Sequence, residues 1–519
     1  CQDRQPPPKL IFETSLICQG HPSVHLLPLK TGLERIGTFL KKTIGAEKLS
    51  RKNKTILLLG ETGSGKSTII NALFNFAIGT EWTDDVWCEI VEGQSEANKK
   101  VNQSQTSDVT VYEIHEGNLD FSLRVIDSPG LGDTRGSDEL LTERLLDLFQ
   151  SEDGVSEVHA VGLVLKASEN RLTDRMAYVF NSVTSLFDKD MEQKIVPLIT
   201  HSDGRKPTNA LQALNAANVR SARDENNKPL YFLFDNCQRD DRTEGTKYLE
   251  MAYDTTSKNM ENFIKFLQQE SKDLGETVKV LKERISLREN IKKLKDQVQP
   301  VKEKEKEIHQ AREALDKYKR KMESTKNFSR EEIETYTDQE PVDQIGIIFY
   351  SGAMCCRVCK ENCHYPGCTW ARSPAQCDVI KNRQCNKCNC PVEDHIKGDK
   401  KYVEKFRKVQ KINEEMKATF KRNQEKKDET KQRLDILQKE MFDLKQTKDQ
   451  NLDKAFRIIE KLQKIALNVD SVSSYVHLDF LIENMKENGD AEKVQTLERM
   501  RERMDDRNKA GAKYLNTMN

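Results

Sequence analysis

Apolar residues fall along this chain in two rhythms. In the first half they come as short, nearly continuous runs: Thr55-Ile56-Leu57-Leu58-Leu59, Leu123-Arg124-Val125-Ile126, Leu163-Val164-Leu165, Ile195-Val196-Pro197-Leu198-Ile199 and Tyr231-Phe232-Leu233-Phe234. Runs of this length, closed by turn residues, read as strands buried on both faces. Helix-like stretches such as Thr68-Ile69-Ile70-Asn71-Ala72-Leu73-Phe74 alternate with them, which predicts a doubly wound, mostly parallel α/β domain over residues 50–274. The second half changes period. Leu287, Ile291, Leu294, Val298, Val301, Ile308, Leu315 and Met322 recur at three-four spacing amid dense Lys and Glu. Leu434, Leu437, Met441, Leu444, Leu452, Ala455, Ile459, Leu462 and Ala466 do the same. Both runs are coiled-coil candidates, and projecting arms or helices packed on the α/β domain satisfy the pattern equally. Pro300 should kink the first run. The second, beginning near Tyr402, would be roughly 95 Å long if continuous. The expected order is a tail and lead-in helix over 1–49, the α/β domain, a helical arm over 275–345, a Cys/His-rich module over 346–398, a second arm over 399–470 and a helical segment over 471–519.

Composition narrows the function classes. The chain has 519 residues, with 84 Lys+Arg against 84 Asp+Glu, and a net charge of zero argues against a dedicated nucleic-acid surface. Charged residues make up 32% and crowd the second half, as expected of solvated helices rather than a second compact enzyme domain. No apolar run approaches the roughly 18 residues of a membrane-spanning helix. The opening Cys1-Gln2-Asp3-Arg4-Gln5-Pro6-Pro7-Pro8 resembles neither a signal peptide nor an initiator sequence, so a trimmed or fragmentary start is expected. The expected location is cytoplasmic.

The first apolar run ends in Gly60-Glu61-Thr62-Gly63-Ser64-Gly65-Lys66-Ser67-Thr68, the G-x-x-x-x-G-K-[ST] phosphate loop with a strand before it and a helix after it. Glycines let backbone N–H groups curl around phosphate oxygens, and the helix N-terminus adds partial positive charge. Lys66 would reach the terminal phosphates, and the Ser67 hydroxyl would ligate Mg²⁺. The second run ends in Asp127-Ser128-Pro129-Gly130, where a carboxylate can hold Mg²⁺ through water and the Gly130 N–H can face the γ-phosphate. The fourth ends in Thr200-His201-Ser202-Asp203, whose carboxylate could accept two guanine N–H groups and reject adenine through an unpaired charge. The fifth ends in Asp235-Asn236, placed to touch the base's O6. Four such boxes in order, each at a strand end, point to a guanine-nucleotide site.

G-E-T-G-S-G-K-S-T, D-S-P-G-L-G-D, T-H-S-D and F-D-N together resemble the immunity-associated nucleotide-binding GTPases, the GIMAP family, with chloroplast-import receptor GTPases and septins as more distant kin. The segment Leu163-Val164-Leu165-Lys166 followed by Arg171-Leu172-Thr173 resembles that family's hydrophobic strand and R-x-T box. The resemblance covers roughly residues 50–270. It implies a G domain binding GTP and GDP, and homodimers or higher assemblies formed across the nucleotide faces, with Arg171 offered to the opposite protomer. The family's S-x-T motif maps onto Ser104-Gln105-Thr106, making Thr106 the candidate Mg²⁺-sensing threonine; Thr110, at the head of the next strand, is the rival. T-H-S-D stands where N-K-x-D is usual, and Leu131 follows the D-x-x-G box without an amide to orient water.

Of thirteen cysteines, nine lie between Cys355 and Cys390, with His364 and His395 close by. Cys356, Cys359, Cys363, His364, Cys368, Cys377, Cys385, Cys388, Cys390 and His395 are the candidate Zn²⁺ ligands, at spacings that suit thiolate coordination better than disulfides. Cys356, Cys359, Cys377, Cys385, Cys388 and His395 are favoured, and two tetrahedral sites are expected, with pairing left open. A closed, thiolate-rich site is structural rather than catalytic. The segment holds little apolar material, so metal would supply its folding energy. Two function classes stay open: a GTP-switched assembly protein whose arms and zinc module recruit protein partners, and a nucleotide-binding scaffold that never hydrolyses. A third class, a chromosome-type ATPase, is not expected, because no L-S-G-G signature or second ATPase half is found in this sequence and Asp127-Ser128-Pro129-Gly130 is a GTPase box.

Overall fold

The computed structural model describes residues 14–27, 33–47, 50–91, 108–133, 135–169, 171–243, 245–323, 329–342, 352–367, 371–412, 416–469, 471–503 and 506–517. These fall into two compact units, residues 1–301 with 443–519, and residues 302–442.

In the first unit the apolar runs become the middle of an eight-stranded sheet. Its strands are β1 (Leu33–Ile36), β2 (Phe39–Ile44), β3 (Asn53–Gly60), β4 (Thr110–Ile114), β5 (Ser122–Asp127), β6 (Ala160–Lys166), β7 (Ile195–Thr200) and β8 (Phe232–Leu233), in the order β8-β7-β6-β3-β5-β4-β2-β1. All neighbours run parallel except β4 with β5 and β1 with β2. Consecutive apolar residues are needed because successive side chains serve opposite cores. Leu57 and Leu59 point to one layer with α2 (Arg135–Gln150), α3 (Asp174–Ser185) and α4 (Thr208–Ala216). Ile56 and Leu58 point to the other, with α1 (Lys66–Ile78) and α5 (Thr246–Leu267). The doubly wound prediction holds. Residues 33–44 are sheet strands, however, where a lead-in helix is expected; the short Gly37 turn (φ 54°) joins two pieces whose alternation is too brief to announce itself.

The helical residues of this unit form a bundle. Val280, Leu287, Ile291 and Leu294 of α6 (Gly275–Glu323) pack against Leu452, Ile459 and Leu462 of α7 (Met416–Ile465). Three shorter helices join them or the α/β core: α8 (Val472–Tyr475), α9 (Leu478–Glu487) and α10 (Ala491–Arg503), followed by α11 (Asp506–Thr517). Arg284 of α6 stitches bundle to sheet layer. It donates to the Ser185 carbonyl at 2.5 Å, to Ser471 Oγ at 2.6 Å and to the Asn468 carbonyl at 3.2 Å. Burial pulls its pKa down to about 10, so it stays charged at neutral pH. Helix α6 continues through Pro300, and the division between the units falls one residue later.

The second unit corrects both arms. Strand β9 (Ser329–Pro341) pairs antiparallel with β13 (Lys400–Ile412) along their whole length, Ser329 opposite Ile412 and Pro341 opposite Lys400. Helix α7 therefore starts at Met416 rather than near Tyr402, and its 50 residues span about 75 Å. The intervening cysteine-rich segment carries a small sheet of β10 (Ala353–Cys356), β11 (Asn362–His364) and β12 (His395–Gly398). Among the described residues no helix is long and apolar enough to cross a membrane.

Candidate functional site

The phosphate loop leaves β3 at Gly60 and enters α1 at Lys66. Gly65 adopts φ 100°, and a Cβ there would meet the Thr200 methyl at 3.0 Å, so both backbone and space require glycine. Lys66 folds its buried ammonium onto the loop, donating 3.0 Å to each of the Gly60 and Glu61 carbonyls. Burial lowers its pKa, opposed by the charges of Asp127, Asp133 and Glu61. Ser64 Oγ is buried with no hydrogen-bond partner among the described residues. Ser67 is half-buried, Thr68 exposed, and Gly63 forms the exposed crest.

Asp127 ends β5 and is buried, directly across the β4–β5 ladder from Thr110. Thr106 lies outside the described residues. Gly130 packs so close to the loop that a Cβ would sit 2.0 Å from Thr62 Oγ1, so no other residue fits without moving the loop. Leu131 donates its N–H to the Gly60 carbonyl at 3.1 Å and buries its side chain in the core at 2% exposure. It is a packing residue of the core.

The guanine boxes split in character. Thr200 Oγ1 donates to the Ser64 carbonyl at 2.7 Å and so braces the phosphate loop. His201 takes φ 51° at an exposed turn. Asp203 is exposed, and its Oδ1 accepts from the Arg205 N–H at 3.0 Å. The Ser202 N–H reaches the Phe234 carbonyl at 3.1 Å, which brings the T-H-S-D turn beside Asp235-Asn236. There both amide atoms of Asn236 are buried without partners among the described residues. The loop is held by Tyr248, whose hydroxyl donates to Asp235 Oδ2 at 2.9 Å, and by Thr256.

Arg171 is exposed just ahead of α3, and the Thr173 of the same box caps that helix, its Oγ1 accepting from the Met176 N–H at 3.1 Å. One turn later comes a residue that sequence reasoning missed. Arg175 pairs with Glu61 of the phosphate loop and, at 2.9 Å, with Asp133, while Thr62 Oγ1 donates to Asp133 at 2.5 Å. The second aspartate of D-S-P-G-L-G-D was the only signal available for this clasp. Gly132 is also gripped from two sides. Its N–H points at the Asp138 carboxylate (3.3 Å), which Tyr178 also contacts at 2.7 Å, and its carbonyl accepts from Tyr514 of α11 at 2.9 Å.

In the second unit, seven of the candidate ligands converge. Cys356, Cys359, Cys388 and Cys390 form one group and Cys363, Cys385, Cys388 and His395 another, each with donor atoms within 4.8 Å of one another. Cys377 and His364 join neither group; Cys377 Sγ lies 3.1 Å from His364 Nδ1 instead. Cys368 lies outside the described residues, and Cys355 turns its thiol to Asn362 and the Lys400 carbonyl.

Comparison with known proteins gives the following. Residues 54–251 match the AIG1 family. Septin-2 of Rattus norvegicus is 30% identical over 115 residues, covering 21% of this chain and 29% of the septin. Septin-2 of Mus musculus is 38% identical over 80 residues, 15% of this chain and 19% of the septin. The chain thus matches less than a third of the length of these relatives. Toc33 from Arabidopsis thaliana, solved in complex with Mg²⁺ and GMPPNP, aligns with 43% of this chain and 88% of its own at 16% identity and a TM-score of 0.28. The four boxes, the sheet that carries them and the family match over the same residues agree: residues 54–251 of this chain are an AIG1-type GTP-binding domain.

Proposed function

We propose that this chain is a GTP-switched assembly protein: its G domain binds GTP or GDP with Mg²⁺, pairs with a second copy across the nucleotide face, and hydrolyses GTP slowly unless paired. The observation that carries the nucleotide reading is the cradle itself, where Gly65, the buried Lys66 ammonium, the orphaned Ser64 hydroxyl and Asp127 gather at one strand–helix junction. Ser67 and Asp127 are the residues that would hold Mg²⁺, which offsets phosphate charge when bound. Lys66 then exchanges loop carbonyls for phosphate oxygens. The orphaned Asn236 amide and the Asp203 carboxylate suit the guanine edge.

Arg171 is the proposed catalytic group supplied to the opposite protomer. Its neighbour Arg175 pairs with Glu61 of the phosphate loop, and the exposed Arg171 four residues earlier is proposed to reach the opposite protomer's nucleotide. The buried Leu131 leaves the chain without a water-orienting side chain at its usual place, which also favours the second reading, a scaffold that binds nucleotide without turnover. The cysteine cluster is proposed to bind Zn²⁺ and to fold the module that, with the helical arms, recruits protein partners; reduced thiols suit a cytoplasmic setting.

The test is GTP turnover against protein concentration. Dimer-supplied arginine predicts a faster-than-linear rise that Arg171→Ala abolishes, since such a group is typically worth about 10³–10⁵ in rate. GTP affinity should be nearly unchanged in the variant. Turnover strictly proportional to concentration, equal in both proteins, would remove the dimer mechanism; no turnover with intact binding would select the scaffold.

A further inference from the structure

The geometry points to a binuclear metal cluster in which the Cys388 thiolate bridges two ions, rather than to two separate sites. This rests on the proposed metal-binding reading of the cysteine cluster. Two four-coordinate ions need eight ligand positions, and among the described residues seven donors converge here; the two groups share Cys388 and no other of these residues. Seven donors complete both tetrahedra only if one serves twice. A thiolate sulfur, with three lone pairs, is the donor type able to do so, whereas the imidazole of His395 has a single free pair.

The distances fit coordination. With zinc about 2.3 Å from sulfur and about 2.0–2.1 Å from nitrogen, tetrahedral edges are about 3.8 Å between sulfurs and about 3.6 Å from sulfur to nitrogen. Cys363 Sγ lies 3.4 Å from Cys388 Sγ and 3.5 Å from His395 Nε2, and Cys388 Sγ lies 3.3 Å from the same nitrogen. The tautomer is fixed. His395 Nδ1 is 2.8 Å from the Pro391 carbonyl, which can only accept, so Nδ1 carries the proton and Nε2 turns its lone pair on the two sulfurs. Backbone N–H groups face other sulfurs, Cys359 N to Cys356 Sγ at 3.5 Å and Lys387 N to Cys385 Sγ at 3.4 Å. These donors offset the surplus negative charge that six thiolates and two divalent ions leave on the cluster.

The test uses the full chain, reduced and loaded with Zn²⁺ and, in parallel, with Co²⁺. Elemental analysis should find two ions per chain. With Co²⁺, a bridging thiolate couples the two spins, so the paramagnetic resonance signal should collapse as the second equivalent enters instead of doubling. Cys388→Ala should lose tight binding of both ions, while Cys359→Ala should lose one. A doubled cobalt signal, or a Cys388→Ala protein that retains one tight ion as Cys359→Ala does, would overturn the bridge. A single ion in the parent protein would keep the metal-binding reading and reject the shared ligand. No bound metal would remove both. The cobalt arm needs no variant, so a misfolded substitution cannot decide the matter.

Discussion

Thr200 belongs to the guanine box by sequence, yet its hydroxyl bonds the Ser64 carbonyl and its methyl packs on Gly65. Thr200→Val keeps the shape and removes the donor. It should cost about 1 kcal/mol in denaturant unfolding and weaken nucleotide binding, because the Ser64 carbonyl loses its partner. Unchanged binding would make the brace incidental. His159 offers a second test. It is buried, its Nδ1 accepts from the Thr55 N–H at 3.0 Å, and burial first, then the nearby Lys54 charge, lowers its pKa to about 4. The unfolded chain takes up this proton near pH 6.5 and the native chain only near 4, so the stability it lends is complete above about 6.5 and is lost as pH falls towards 4. His159→Gln should flatten the fall in unfolding midpoint between those pH values; parallel profiles would contradict the assignment. At this scale the sequence was legible where chemistry is local. Gly65, Lys66 and Asp127 are dictated by a phosphate loop and a strand end. The Arg175–Glu61–Asp133 clasp joins three segments far apart in the chain, and no local pattern announces it.

Among the elements, the strands buried on both faces were readable because continuous apolar runs have few other uses. The long hairpin was not. In Tyr402-Val403-Glu404-Lys405-Phe406-Arg407-Lys408-Val409, apolar residues three and four apart imitate a helix face, and the true partner lies beyond the cysteine module. Its register is held by pairing of opposite charges, Lys405 with Asp338 at 2.6 Å and Arg407 with Glu334 at 2.5 Å, which a one-strand reading cannot see. The docking of α11 is equally non-local. Tyr514 bonds the Gly132 carbonyl, and Gly511 lets the helix approach Tyr178 so closely that a Cβ would meet its backbone at 3.2 Å. Tyr514→Phe should speed amide hydrogen exchange around Leu131–Asp133 and cost about 1 kcal/mol. Gly511→Leu, which must push α11 from α3, should cost about 1–3 kcal/mol by overpacking. Exchange confined to α11 in both variants would show that the helix does not steady the loop after Asp127.

The whole molecule divides into a G domain with its helical bundle and a unit carrying the cysteine cluster. The first unit has extensive apolar cores, while the clusters around the cysteines hold only a few side chains each. Metal chelation should therefore melt residues of the cysteine module, read by exchange or proteolysis, while leaving nucleotide binding intact; joint loss would mean that the units are not independent. In the proposed function, the cradle at Gly60–Ser67 and the turns at Asp203 and Asn236 form one guanine-nucleotide site. Calorimetric titration with GTP, GDP and ATP in Mg²⁺, on the parent protein and Asp203→Asn, tests it most directly. Saturable binding of GTP and GDP, weak binding of ATP and a selective loss of guanine affinity in the variant are expected, because one acceptor oxygen becomes a donor facing the base's N–H groups. ATP binding as tightly as GTP, with the variant indistinguishable from the parent, would contradict it.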